Sequence, residues 1–280
     1  HLGDQPRPHG VWTQIYHGNQ KWAYSSFGTL TESKDKTAKW ARVDVRVGSP
    51  EFDNANFEAY GASNGVVLSS LPVEGDPLAL QRALWLSLDK AYKGAAAVYN
   101  AKRASLKGQP KPTLPDLLPG RAEWYGILNS TPKPIEKLDD LARLLSQPIQ
   151  TKGHLEELNA IVSESHVIVT ALSTEGHQLQ YPQDRFIMRA EAIGKADDGA
   201  VIRNIRSWVY PTRKDAPDKK ALQDEINAMQ QWLLQLKSAP VEQDYLGPVL
   251  FEPLAAVELY RQLLPPEISA NPPQLSPKSD

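Results

Sequence analysis

Cysteine is absent from all 280 residues, which excludes disulfides, thiol nucleophiles and thiolate metal sites. Net charge is almost absent as well. The 31 basic and 33 acidic residues leave −2, so no global field draws the chain to nucleic acid or to an anionic membrane surface. The basic pairs Arg213-Lys214 and Lys219-Lys220 alternate with Asp215 and Asp218 and read as a solvated helix entrance. No run approaches the roughly 18 uninterrupted apolar residues of a membrane-spanning helix. Ser25-Ser26 and Ser69-Ser70 lack a Gly-x-Ser-x-Gly context, so no nucleophile elbow is present. Gly61-Ala-Ser-Asn-Gly65 lacks the lysine of a phosphate loop. The start, His1 to Pro8, is not organised as a signal peptide and implies a processed or engineered terminus.

What is present is ordinary globular material, 41% hydrophobic and 23% charged. Apolar and polar residues alternate in Arg42-Val43-Asp44-Val45-Arg46-Val47, the period of a strand with one buried face. Residues 11–47 therefore predict a short antiparallel meander, with turns at His17-Gly-Asn19 and within Glu32-Ser-Lys-Asp-Lys36. Asp76-Pro77 opens a long helix, an N-cap followed by proline in the first turn. Its stripe is Leu84, Leu88, Tyr92, Ala95 and Tyr99, and it runs to about Lys107. Four prolines between Gly108 and Gly120 mark a connector. A second helix is expected over 132–145, with Leu138, Leu141 and Leu145 at helical spacing.

A second β unit follows, read as four strands: Leu155–Ser163, His166–Ser173, Arg185–Ile193 and Ala200–Tyr210. The turns between them would be Ser163-Glu164-Ser165, Glu175-Gly176 and Asp197-Asp198-Gly199. Leu222, Ile226, Met229, Leu233 and Leu236 define a core-facing helix from about Asp218 to Lys237. Val249-Leu250-Phe251 reads as a short strand running into a helix after Pro253, whose stripe of Ala256, Leu259, Tyr260, Leu263 and Leu264 should face a core. The proline-rich tail after Leu264 has little to bury and reads as extended. The succession makes the fold class α+β, two antiparallel β units with long packed helices. The division is residues 1–108, a first α+β domain; 109–150, linker and short helix; 151–243, a second β unit plus helix; and 244–280, the start of a further domain and a tail.

Among candidate ligands, His154-Leu155-Glu156, His166 and His177 show no zinc-like spacing, so hydrogen-bonded histidines in a sheet are the expected reading. The turn Glu51-Phe-Asp53-Asn54 offers oxygens to a hard cation, but Asx side chains bonding nearby backbone explain it better. Trp12, Trp22, Tyr24 and Trp40 in the first β unit, with Trp208 and Tyr210 in the second, suit either core packing or a stacking platform for an extended ligand. Core packing is the simpler expectation.

Several stretches together resemble the TldD/PmbA family, metallopeptidase-related bacterial proteins once named modulators of DNA gyrase. They are the strand-to-helix segment Tyr245–Leu264, the strand and turn Arg42–Gly48 and Glu51–Asn54, the helix region Leu71–Tyr92, and Ser173-Thr-Glu-Gly176, similar to an Asn-Ser-Glu-Gly turn. In the catalytic branch the strand leads into His-Glu-x-x-x-His. A gapless match puts Glu252 at the first His, Pro253 at the Glu and Val257 at the second His. Zinc needs neutral imidazoles and a carboxylate to activate its water, and these three side chains supply a single oxygen ligand.

The resemblance thus implies a chain of the non-catalytic, PmbA-like branch, with no catalytic and no metal residue of its own and zinc only in a catalytic partner. It also implies a homodimer, or a heterodimer with a TldD-like subunit, enclosing a chamber where unfolded peptides are cleaved. Neither nucleic acid nor membrane is an expected partner. The family's large C-terminal β-rich domain would lie beyond 264, so the chain is expected to be truncated. Its setting is expected to be bacterial, with the periplasm or exterior slightly favoured over the cytoplasm. The alternative is a stand-alone extracytoplasmic module that binds peptides or proteins and has no proteolytic role.

Overall fold

The computed structural model describes residues 6–59, 63–108, 114–117, 126, 131–149, 155–240 and 244–264. Two long strands, β1 (Pro8–Ser26) and β2 (Thr29–Ser49), form a hairpin, followed by the short β3 (Phe52–Asp53) and β4 (Val66–Ser70). Helix α1 (Pro77–Ser105) and the shorter α2 (Asp139–Leu145) come next. Then follow β5 (Leu155–Ser173), β6 (Gln178–Lys195), β7 (Val201–Tyr210), α3 (Lys219–Lys237) and α4 (Pro253–Leu263). All the described strands belong to one seven-stranded sheet in the order β3-β2-β1-β5-β6-β7, with β4 also beside β2. Every pairing is antiparallel, so the class is α+β. The two β units lie side by side in this sheet, joined along the β1–β5 ladder.

The strands are longer and fewer than the sequence suggests. His17-Gly18-Asn19 is not a turn but the middle of β1, and the hairpin turns instead at Phe27-Gly28, with φ of 46° and 75°. Both central residues of a two-residue type I′ turn need positive φ, and here the first is a phenylalanine, which gives no sequence cue. Gly18 serves close approach: a Cβ there would sit 2.5 Å from the His166 carbonyl oxygen and 2.7 Å from Val167 Cα on β5. The charged run Glu32 to Lys36 stays in β2, paired with Gln20 to Tyr24.

Ser163-Glu164-Ser165 likewise is no turn; it pairs with β1 on one side and with β6 on the other. A buried carboxylate is tolerated in that central strand because Arg213 donates to Glu164 Oε2 from Nη2 at 2.5 Å and from Nε at 3.1 Å. The turns at Ser173–Gly176 and Asp197–Gly199 form as expected, with Gly176 at φ 95° and Gly199 at φ 88°.

The second helix is half its expected length. Pro132 and Pro134 contribute no N–H, and residues 131–138 instead form an irregular segment lying against the sheet. There the carbonyls of Lys133 and Ile135 accept from Asn19 Nδ2 at 3.0 Å and Lys21 Nζ at 3.1 Å. α1 and α3 match expectation, each capped by an aspartate side chain: Asp76 on Leu78 N and Asp218 on Ala221 N.

Strand alternation sets the layers. Ile15↔Ala41, Ala23↔Val162 and Val162↔Met188 are register partners, so their side chains share one face. On that face Ala41, Val43, Val45 and Val47 pack with Ala91 and Ala95 of α1. Leu158, Ala160, Val162, Phe186, Met188, Ala190 and Ala192 pack with Ala142 and Leu145 of α2 and with Leu222, Ile226, Met229 and Leu233 of α3. The opposite face takes part in neither cluster. No described helix is long and apolar enough to cross a membrane.

Candidate functional site

Glu252 caps α4 with extended backbone (φ −70°, ψ 163°) but no side-chain cap bond, and Pro253 occupies the first turn. Glu252 is exposed and Val257 is 64% exposed. Two expectations fail here. Val249-Leu250-Phe251 forms no strand, because no described strand pairs with its backbone, and Leu250 is 92% exposed. The α4 stripe of Leu259, Tyr260, Leu263 and Leu264 is exposed rather than turned into a core. The donor set at these positions, one carboxylate with a proline and a valine, does not fit a zinc site.

One ion pair does organise α4. Glu258 accepts from Arg261 Nε and Nη2 at 2.9 Å each and from Gln262 Nε2 at 3.0 Å. The Arg261 bond, then the Gln262 bond, hold the Glu258 carboxyl at about 2, below its ordinary 4.5. A depressed acid contributes stability above its unfolded value and loses it as the pH falls through the folded one. Carboxyl NMR titration should therefore place Glu258 near 2, and Arg261→Ala should return it toward 4.5; an unchanged midpoint in the variant would remove Arg261 as the cause.

The described histidines do not assemble. His154 lies outside the described residues. His17 is held below its ordinary 6.5, first by burial and then by Lys39, so its share of stability fades as the pH drops below 6.5. His177 Nδ1 lies 2.8 Å from Ser173 Oγ within its own turn. Among the described residues no group of three or more His, Asp or Glu side chains could hold a metal ion.

The acidic turn is structural. Asn54 Oδ1 accepts from Val47 N at 2.8 Å, and its Nδ2 donates to the carbonyls of Val45 and Asn64. Asp53 Oδ1 accepts from Ala55 N, while its Oδ2 lies 3.3 Å from His9 and 3.4 Å from Arg46. Beneath it the wholly buried Lys102 donates to Asp116 Oδ2 at 2.6 Å, Ala55 O at 2.8 Å and Asp53 O at 3.2 Å. The oxygens a cation would need are already engaged by protein cations and amides.

A second polar group, invisible in the sequence, lies between the two apolar clusters. His166 Nε2 is 3.3 Å from Glu164 Oε1, and its Nδ1 is 3.2 Å from Asp184 Oδ1 but without hydrogen-bond geometry. Arg213 ties Glu164 to Glu136 of the 131–138 segment, with its guanidinium 5.7 Å from the centre of the Phe186 ring. These residues fasten that segment to the sheet.

The open face is where side chains remain available. Tyr16 and Trp40 stack there at 3.7 Å with planes 2° apart, and Trp12, Trp22 and Tyr24 share their side of the strands. Trp208 and Tyr210 point the other way and pack on the core. Core packing thus holds for the second pair and fails for the first group, because even-numbered residues of β1 and β2 point away from the helices.

At the sheet's margin β7 pairs only with β6 among the described strands, leaving one edge of its ten residues unpaired. It carries no proline, and its pairing with β6 has no bulge. Arg203 and Arg206 lean onto Glu191 and Glu225. At the other margin, Thr29 to Ala38 of β2 pairs with no described strand on its outer side but bears Glu32, Lys34, Asp35 and Lys36, which discourage pairing.

A solved structure from Bacteroides thetaiotaomicron, described as a candidate modulator of DNA gyrase, matches this arrangement with TM-score 0.50 and 8% identity, over 82% of this chain and 47% of its own. Over that share the chain has the fold of that structure. This is the fold implied by the TldD/PmbA resemblance. Less closely similar are another candidate DNA gyrase modulator, from Thermotoga maritima (TM-score 0.43, 9% identity, 78% of this chain and 43% of that one), and TldE from Thermococcus kodakarensis (0.43, 11%, 82% and 44%). The chain therefore spans less than half the length of each. No family model matches the sequence, and no curated protein matches it significantly.

Proposed function

We propose that this chain is a non-catalytic, peptide-binding component of a TldD/PmbA-like proteolytic assembly, with metal chemistry supplied by a TldD-like subunit. The free edge of β7 carries the reading. An extended peptide adding there would satisfy backbone N–H and C=O groups on both sides, which captures unfolded chains without demanding a sequence. The edge lacks the prolines, bulges and uncompensated charges with which sheets usually prevent such addition. The shared fold and the metal-incompetent set Glu252, Pro253 and Val257 support the division of labour.

Two measurements test it. Hydrogen exchange with a disordered peptide present should slow the amides of 201–210 selectively; protection elsewhere, or none, would sink strand addition at β7. Mixing the chain with a metal-bearing family member should form a complex and raise cleavage of the same peptide. Separate elution and an unchanged rate would leave only the stand-alone binding module.

A further inference from the structure

We propose a second site, separate from the β7 edge, that takes the free carboxylate and apolar side chain of a single terminal residue, such as the C-terminal end of a peptide. It is a hollow of about 440 Å³ on the open face, where the start of β1, the middle of β2 and the β5–β6 turn converge. Trp12, Gln14, Arg42, Asp44, Leu172 and Leu179 line it.

Arg42 is the deciding residue. It is exposed, and its side chain makes no hydrogen bond, ion pair or ring contact with any described residue. Every other charge near the hollow is engaged. Asp44 lies 3.3 Å from Arg46 Nε, Arg46 also reaches Asp53, and His177 sits between Ser173 and Glu175. An arriving carboxylate therefore meets one uncommitted guanidinium, which binds such a group through two parallel N–H bonds.

The floor beside it is apolar and fixed. The Trp12 ring lies over Gly10, where a Cβ would come within 2.5 Å of the ring, so glycine is what lets the indole lie there. Trp12, Ala171 and Leu179, whose side chains share the open face by strand register, give an aliphatic or aromatic side chain its contact surface. A terminal residue carries carboxylate and side chain on one Cα, so both fit a hollow of this size. An acidic residue inside a chain brings a carboxylate but no adjoining apolar group, and its backbone must leave at both ends.

The test follows the side-chain N–H signals of Arg42 and Trp12 by NMR while the protein is titrated with N-acetyl-leucine, its amide, or N-acetyl-aspartate amide. N-acetyl-leucine should shift both signals and bind about tenfold or more tighter than either amide, the scale of one charge-assisted pair. Arg42→Gln should abolish the difference and Arg42→Lys should restore part of it; the fold should be unaffected, since the backbone pairing of Arg42 is kept and its side chain bonds to no described residue. Equal binding of acid and amide, tighter binding of the aspartate amide, shifts located elsewhere, or no shift at all would each overturn the proposal. None of these outcomes touches strand addition at β7, which fails or stands on its own exchange pattern.

Discussion

Lys102→Ala should lower the stability of the folded chain by about 3–5 kcal/mol, the usual loss when one partner of a buried ion pair is removed. Lys102 is fully buried, and its ammonium donates to Asp116 and to the carbonyls of Asp53 and Ala55. It also lies 4.8 Å from the centre of the Phe52 ring. Deleting it leaves an almost buried carboxylate whose remaining bond, from Asp53 N at 2.8 Å, cannot offset the desolvation. Two carbonyls lose their donor as well. Urea denaturation would show the midpoint falling with little change in slope. The double variant Lys102→Met with Asp116→Leu should cost less than the sum of its two singles, because neither charge is then left alone. A loss below about 1 kcal/mol for Lys102→Ala would mean that water replaces the ammonium at no penalty and that the turn is not held from beneath.

Phe186→Ala should cost a similar amount, about 3–5 kcal/mol, through the transfer of a large side chain and the cavity left behind. Phe186 is wholly buried in the cluster that joins β5 and β6 to α2 and α3. The loss should exceed that of Phe186→Leu, which keeps most of the volume. It should also reach the surface: Arg213 rests against this ring and holds Glu164 and Glu136. Amides of 131–138 should then exchange faster than those of α1, whose cluster is separate. Uniform acceleration in both regions would instead mean that the sheet opens as one unit.

Element type was readable wherever a local rule operates. Asp76-Pro77 marks the start of α1 because an N-cap and a first-turn proline act within a few residues, and the stripe Leu222, Ile226, Met229, Leu233 places α3 by its period. Strand ends were misread for an equally physical reason. Gly18 and Ser163-Glu164-Ser165 carry turn chemistry, yet each is explained by a neighbour remote in sequence: Val167 across from Gly18, and Arg213 across from Glu164. Lys102 gave no signal either. A lysine in the last turn of a helix ordinarily complements the helix dipole in solvent, and only the return of Asp116 makes it a buried anchor.

By itself the sequence determined the class, α+β, the helix starts, and the chemistry unavailable at Glu252, Pro253 and Val257, because these depend on side-chain identity and short-range spacing. Tertiary structure alone decided that both β units join one sheet through β1 and β5, that the aromatics divide between core and open face, and that the Arg42 side chain has no partner among the described residues. Strand alternation fixes which residues share a face, but not which face the helices cover. That choice follows from where α1, α2 and α3 bury their own apolar stripes, an outcome set by contacts between separate elements, such as Ser25 of β1 with Ala142 of α2, 117 positions apart.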